Sequence, residues 1–156
     1  MESAMNQPAW QRVAEVELLY KTKVKASERP QITTSKEAAD LLQGLWDENK
    51  IEFVEQFKVL LLNRGNRVLG VVDISSGGIT GTVADPRLVL LAAIKANAVG
   101  MIISHNHPSG SIKPSRADEE LTQKIKNAGK FLDISLHDHV IITSDGYYSF
   151  ADEGLL

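Results

Sequence analysis

Not one cysteine occurs in the chain. Disulfides and thiolate metal sites are therefore excluded, and any bound metal must be held by nitrogen and oxygen donors. Nor is there a run of about 18 apolar residues, the length a membrane-spanning helix requires. The first residues, MESAMNQPAWQRVAEVE, lack the basic start and apolar stretch of a secretory leader. Together these absences predict a cytoplasmic protein. An excess of positive charge is missing as well. The net charge is −3 and the pI about 5.8, with lysines and arginines interleaved among acids. A nucleic-acid-binding domain ordinarily carries a basic patch, so this balance argues against DNA as a ligand. The one local cluster, Lys21, Lys23 and Lys25, falls on alternate positions and reads as the solvated edge of a strand. Internal repeats and low-complexity segments are absent too.

What remains is a chain of 156 residues, 43% of them hydrophobic, which suits one domain with a real core. Residues 13–20, VAEVELLY, alternate apolar and polar and predict a half-buried strand. Thr34 and Glu37 have the spacing of a capping box. They predict a helix to about Trp46 with Ala38, Leu41, Leu42 and Leu45 on its buried face. FVEQFKVLLL at 53–62 and RVLGVVDIS at 67–75 predict a hairpin joined at NRGN. The glycine-rich SGGITGTV that follows predicts a loop, with room for a bulged strand segment. Asp85-Pro86 is a helix start. VGMIIS at 99–104 reads as a central strand buried on both faces. Ser115 is placed to cap a helix from Arg116 to about Phe131; DISLHDHVIIT is a last long strand, and Asp145-Gly146 a turn into YYSF. The predicted order, β-α-β-β-α-β-α-β-β, describes a mixed sheet covered by helices.

The chemistry concentrates in SHNHPSGSIKPSRAD, residues 104–118. In extended backbone His105 and His107 point to one side, about 6–7 Å apart at Cα, and Asn106 points away. The Pro-Ser-Gly turn can bring the chain back, so that Asp118, in the first turn of the next helix, faces the same point. Two histidines and one aspartate leave a fourth tetrahedral position open, the pattern of a catalytic zinc rather than a structural one. Each part alone has a plainer reading: a His-x-His pair is usually ordinary hydrogen bonding, and Ser115 with Asp118 is a capping box. A hydrolytic zinc needs a general base. On strand 53–62, Phe53, Glu55, Phe57, Val59 and Leu61 share one face, so Glu55 is a carboxylate among apolar side chains, costly unless paired or put to use. A glutamate at a strand end reaching water is the plainer reading. Glu52 falls on the mixed face.

These residues carry a resemblance. His105-Asn-His107, seven residues, Ser115, two residues, Asp118 resembles the JAMM (MPN+) metalloprotease signature, and SHNHPSGSIKPSRAD resembles more narrowly the RadC-like JAB-domain family of bacteria. EQFKVLLLNRGNRVLG, DPRLVLLAAIKANAVGMII and HDHVIITSDGYYSF agree with it, so that it covers about residues 32–152. The resemblance implies a JAB/MPN α/β fold related to cytidine deaminases, a mixed sheet with helices on both sides. It implies His105, His107 and Asp118 as zinc (Zn2+) ligands, Glu55 as the base acting on water, and Ser115 as the serine facing the oxyanion. It divides the chain into residues 1–31, a strand-containing segment packed on the domain, and 32–156, the JAB domain itself. Full-length RadC-like proteins carry a helix-hairpin-helix-type region ahead of that domain, whereas the 30 or so residues here read as one strand, which weakens any DNA role taken from the family.

Two functions follow from different classes. The first is a zinc-dependent metallopeptidase or isopeptidase acting on a protein or peptide. The second is a non-enzymatic DNA repair or recombination factor of the RadC type. A nuclease fits less well, since two-metal nucleases need more carboxylates than this site offers. His137 and His139 share parity on the last long strand, and the sequence favours a hydrogen-bonded structural role for His139 over a metal ligand.

Overall fold

A computed structural model describes residues 8, 14, 17, 21, 23–77 and 84–156. The strand read at 13–20 lies outside the described residues, as does most of the glycine-rich stretch. Lys21, Lys23 and Lys25 are exposed, and residues 23–25 lie in no strand; they lead into a single 3-10 turn at Ala26–Glu28.

Three helices begin where the caps predict. Helix α1, Ser35–Leu45, starts at Thr34, whose hydroxyl accepts from the Glu37 N–H while the Glu37 carboxylate accepts from the Thr34 N–H. Helix α2, Pro86–Lys95, starts at Asp85, which accepts from the Arg87 N–H at 2.9 Å. Helix α3, Arg116–Phe131, starts at Ser115. Each cap satisfies amides that the first helical turn leaves without partners. On α1 the buried residues are Ala38, Ala39 and Leu42; Leu45 is 41% exposed, because the chain leaves the helix at Trp46 and that indole takes the buried place instead.

Among the described residues the strands are β1 (Gln56–Leu62), β2 (Val68–Ser76), β3 (Gly100–Asn106), β4 (Ser135–Ile142) and β5 (Tyr147–Ser149), in the spatial order β2-β1-β3-β4-β5. Only β3 and β4 run parallel; the other neighbours are antiparallel. The sheet is therefore mixed. Every residue of β3 is buried, as a strand covered on both faces requires. One face packs Phe57, Val59, Leu61, Met101 and Ile103 against Val89 and Ala93 of α2 and Ile125 of α3. The other packs Leu60, Leu62, Ile102, Val140 and Ile142 against Ala38, Ala39 and Leu42 of α1. This α/β arrangement, a mixed sheet with helices on both sides, is the one the resemblance implies.

Two strand details differ from the alternation read in the sequence. Strand β1 starts at Gln56, so Phe53 is outside it and 65% exposed. On β4, Met101 pairs with Leu136 but Ile102 with Asp138, so His137 is an extra residue in a bulge. The bulge breaks the shared parity of His137 and His139: the first is exposed and the second fully buried.

Helix α3 meets β4 through Gly129. A Cβ there would stand well inside 3.0 Å of the Ile134 carbonyl oxygen and 2.9 Å from the end of the Met101 side chain. The same segment is tied back by the Ile134 N–H donating to the Gly129 carbonyl at 2.8 Å. Alanine in place of a helical glycine gains up to about 1 kcal/mol. A clash with backbone that cannot retreat costs more, typically about 1–3 kcal/mol for an overpacked core. Gly129→Ala is thus expected to lower the denaturant midpoint. Equal or greater stability would contradict this close approach.

Candidate metal centre

The site forms where β3 ends. His105 is the penultimate residue of that strand and His107 the first beyond it. The His107 N–H still donates to the Ile142 carbonyl, so the chain stays extended up to that point. The turn follows at once: the Gly110 N–H donates to the His107 carbonyl at 3.0 Å, and Gly110 has φ +82°, which a residue with a side chain rarely adopts. The chain then returns to Ser115 and α3.

At the return, the capping box and the candidate ligand prove to be one carboxylate. Asp118 Oδ2 accepts from the Ser115 N–H at 2.8 Å, and Ser115 Oγ accepts from the Asp118 N–H at 3.1 Å. Held this way, Asp118 places Oδ1 3.4 Å from His105 Nε2 and Oδ2 3.6 Å from His107 Nε2. The two Nε2 atoms are 2.9 Å apart. Among the described residues, His105, His107 and Asp118 are the group of acids and histidines that could hold a metal ion.

The donor chemistry tests the fit. His107 Nδ1 lies 2.7 Å from the Ser111 carbonyl, which can only accept, so that nitrogen carries a proton. In the neutral ring Nε2 then has a bare lone pair, aimed at the point that Asp118 also faces. Electron-pair donors packed this closely need a positive charge between them, a proton or a cation. Donors placed tetrahedrally at about 2.0–2.1 Å from an ion lie about 3.4 Å from one another. Each histidine has one Asp118 oxygen near that distance, Oδ1 for His105 and Oδ2 for His107, and the histidine–histidine separation is about half an ångström short. Imidazole nitrogen and carboxylate oxygen suit a divalent cation of the first transition row.

Electrostatics agree. The Asp118 carboxylate, by hydrogen bonding, raises the pKa of His107; burial opposes this, while the Ser111 carbonyl and the charges of Asp118 and Glu55 add to the rise. Burial alone would push the Asp118 carboxyl up. Hydrogen bonding to His105 and His107, the charge of His105 and the Ser115 N–H outweigh it and hold the carboxyl far below the usual carboxylate range. Burial holds His139 well below the ordinary histidine range, and the neighbouring His105 acts in the same sense.

Glu55 immediately precedes β1 and is half-buried, two residues before Phe57, whose ring stacks on His105 at 6.1 Å between centroids. Its charge is felt at His107. The residue that holds this segment is one whose task the sequence did not reveal. Asn106 points away from the ligands, and its amide donates to the carbonyls of Ile51 and Val54 at 2.8 Å each. Its carbonyl accepts from the Gln56 N–H at 2.7 Å. The backbone on both sides of Glu55 is therefore gripped by the residue between the two histidines. The only available signal was the buried strand alternation that turned Asn106 to the opposite face. Ser115, exposed, sits at the N-cap with its hydroxyl oxygen already accepting and its proton unspent. His137 stands apart in the bulge; His139 touches His105, Nε2 to Nδ1 at 2.7 Å.

Comparison with known proteins adds three findings. A model of the RadC-like JAB domain matches residues 32–155. A UPF0758 protein of Flavobacterium johnsoniae is 47% identical over 124 residues, which is 80% of this chain and 53% of that relative. UPF0758 proteins of Porphyromonas gingivalis and Chlorobaculum parvum are 46% identical over 103 residues and 39% over 126, covering 65% and 80% of this chain and 45% and 55% of theirs. The chain spans about half the length of the curated relatives it matches. No helix among the described residues is long and apolar enough to cross a membrane.

Proposed function

The chain belongs to the RadC-like JAB-domain family, and on that premise we propose that it is a zinc-dependent hydrolase of amide bonds, of the metallopeptidase or isopeptidase type. The observation that carries the reading is the convergence of His105 Nε2, His107 Nε2 and the Asp118 carboxylate at one point, with the charge of Glu55 acting on His107. These three side chains would hold the zinc, which supplies a Lewis acid for the scissile carbonyl. Glu55 takes a proton from the attacking water and delivers it to the leaving amine. Ser115, whose oxygen is occupied by the Asp118 N–H, turns its remaining proton toward the oxyanion. The substrate is a protein or peptide, and the cysteine-free composition supports action in the cytoplasm.

The test is elemental analysis of protein purified without added metal, together with a screen of peptide and isopeptide substrates. About one zinc per chain and turnover that a chelator abolishes are expected. Metal-free protein that takes up no zinc, or loaded protein that cleaves nothing, would favour a non-enzymatic role in DNA repair or recombination. DNA itself is expected to bind weakly: a net charge of −3 leaves few counterions to release from the phosphates. A sub-micromolar affinity for duplex DNA at about 150 mM salt, falling steeply as salt rises, would count decisively for that other role.

A further inference from the structure

Behind His105 runs a line of hydrogen bonds that leads back to another ligand residue. His105 Nδ1 lies 2.7 Å from His139 Nε2. His139 Nδ1 lies 2.6 Å from the Thr122 hydroxyl. The Thr122 hydroxyl lies 2.6 Å from the main-chain carbonyl of Asp118, one helical turn earlier on α3. His105, His139 and Thr122 are all buried. The rings cannot turn away: His105 stacks on Phe57, and His139 stacks on Phe150 at 4.5 Å between centroids.

Counting protons from the far end leaves one arrangement. A carbonyl oxygen only accepts, so the single Thr122 proton lies on the Asp118 carbonyl. The Thr122 oxygen is then free only to accept, and His139 Nδ1 must be the N–H that donates to it. His139 has a histidine on one ring nitrogen and a hydroxyl on the other, with no carboxylate on either; buried so, an imidazole keeps one ring proton, and its Nε2 is bare. His105 Nδ1 must therefore donate to that nitrogen. With Nδ1 protonated, Nε2 is the nitrogen left to offer a lone pair, and Nε2 is the atom facing His107 and Asp118. Reversing any link would bring two acceptors together at 2.6 Å inside the core.

We propose that Thr122 and His139 are positioning residues which commit His105 to the Nδ1–H tautomer and so present its Nε2 lone pair to the metal. No member of the line has to gain or lose a net proton for this. The proposal rests on the metal reading above only for its last step, because the tautomer is a property of the metal-free protein too. It also gives α3 a double part: the helix supplies Asp118 from its first turn, and from its second it sets the orientation of a ligand on a different element. Partners behind metal-binding histidines ordinarily fix the tautomer and ring orientation in this manner.

The test uses the whole chain with 15N-labelled histidine, its ring tautomers read at one fixed pH from long-range proton–nitrogen correlation spectra. The second measurement is zinc affinity, by competition with a fluorescent chelator. In the metal-free parent, His105 and His139 are both expected as Nδ1–H. Thr122→Val keeps the shape and removes the hydroxyl; it should release His105 from that tautomer and weaken zinc by roughly 10–100-fold. Thr122→Ser, which keeps the hydroxyl, should restore both, which a purely packing role for Thr122 would not require. A parent spectrum with His105 as Nε2–H overturns the proposal, and so does a Thr122→Val protein with parental tautomers and affinity. Should Thr122→Val fail to fold, the parent spectrum alone decides. A parent that binds no zinc yet shows both Nδ1–H tautomers would overturn the metal reading while upholding the relay.

Discussion

Glu55→Gln is expected to leave about one zinc per chain in place and to lower peptidase activity by roughly 10²–10⁴-fold, the usual worth of a positioned general base. Glutamine has nearly the size of glutamate and keeps its hydrogen-bonding shape, but it cannot take a proton from water. The fold should not register the change. The backbone at Glu55 is held by others: Asn106 grips the residues on either side, and the Gly77 N–H donates to the Glu55 carbonyl at 2.8 Å. Stability should be equal or slightly higher, since a carboxylate in a half-buried place is gone. Zinc content, melting temperature and turnover separate the explanations. Loss of zinc would make Glu55 a ligand, and unchanged turnover would move the base to another group.

The second large effect is on the metal. His105→Ala and His107→Ala should each weaken zinc far beyond the roughly 10–100-fold attached to residues behind the ligands, because each removes one of three donors. The two variants differ in what else they do. His107 is only half-buried, so its removal should cost the metal-free protein little stability. His105 is buried between Phe57 and His139. Its loss leaves a cavity and strips the partner from His139, at a cost of about 2–5 kcal/mol by analogy with other large core truncations. Denaturant unfolding of the metal-free variants, run beside the zinc titration, reads both. Parental zinc occupancy in the double variant would sink the ligand assignment.

The convergence of the three candidate ligands was legible because their geometry is local. A buried strand fixes the parity of His105 and His107, and Ser115 to Asp118 is a helix start whichever role the carboxylate has. For Asp118 the capping box is present, and the same carboxylate also stands against His105 and His107, where a ligand would have to be. Glu55 was legible more narrowly. The strand begins three residues later than the pattern suggested, so Glu55 stands just before it, and Phe53, counted on the same apolar face, is in solvent. Leu45 failed for a related reason, since periodicity continues past the point where a helix ends. What could not be read was everything set by register between strands. That His139 lies opposite Ile103, within reach of His105, depends on β4 running parallel to β3 and on a bulge at His137. Neither leaves a mark in single-sequence alternation, and the bulge reverses the parity that alternation gives.

The grip of Asn106 has a mechanical consequence. One residue sits between the two imidazoles in sequence and clasps the main chain before and after Glu55, so half of the site is a single stiff jaw. The end of β3 and the loop at 51–56 are thereby tied directly to one another. The opposing jaw is the turn at 108–114 and the first turn of α3, joined to the stiff one through the chain at His107 and, across the site, through Asp118. On the proposed reading, a protein substrate would be admitted past that second jaw, not past the first.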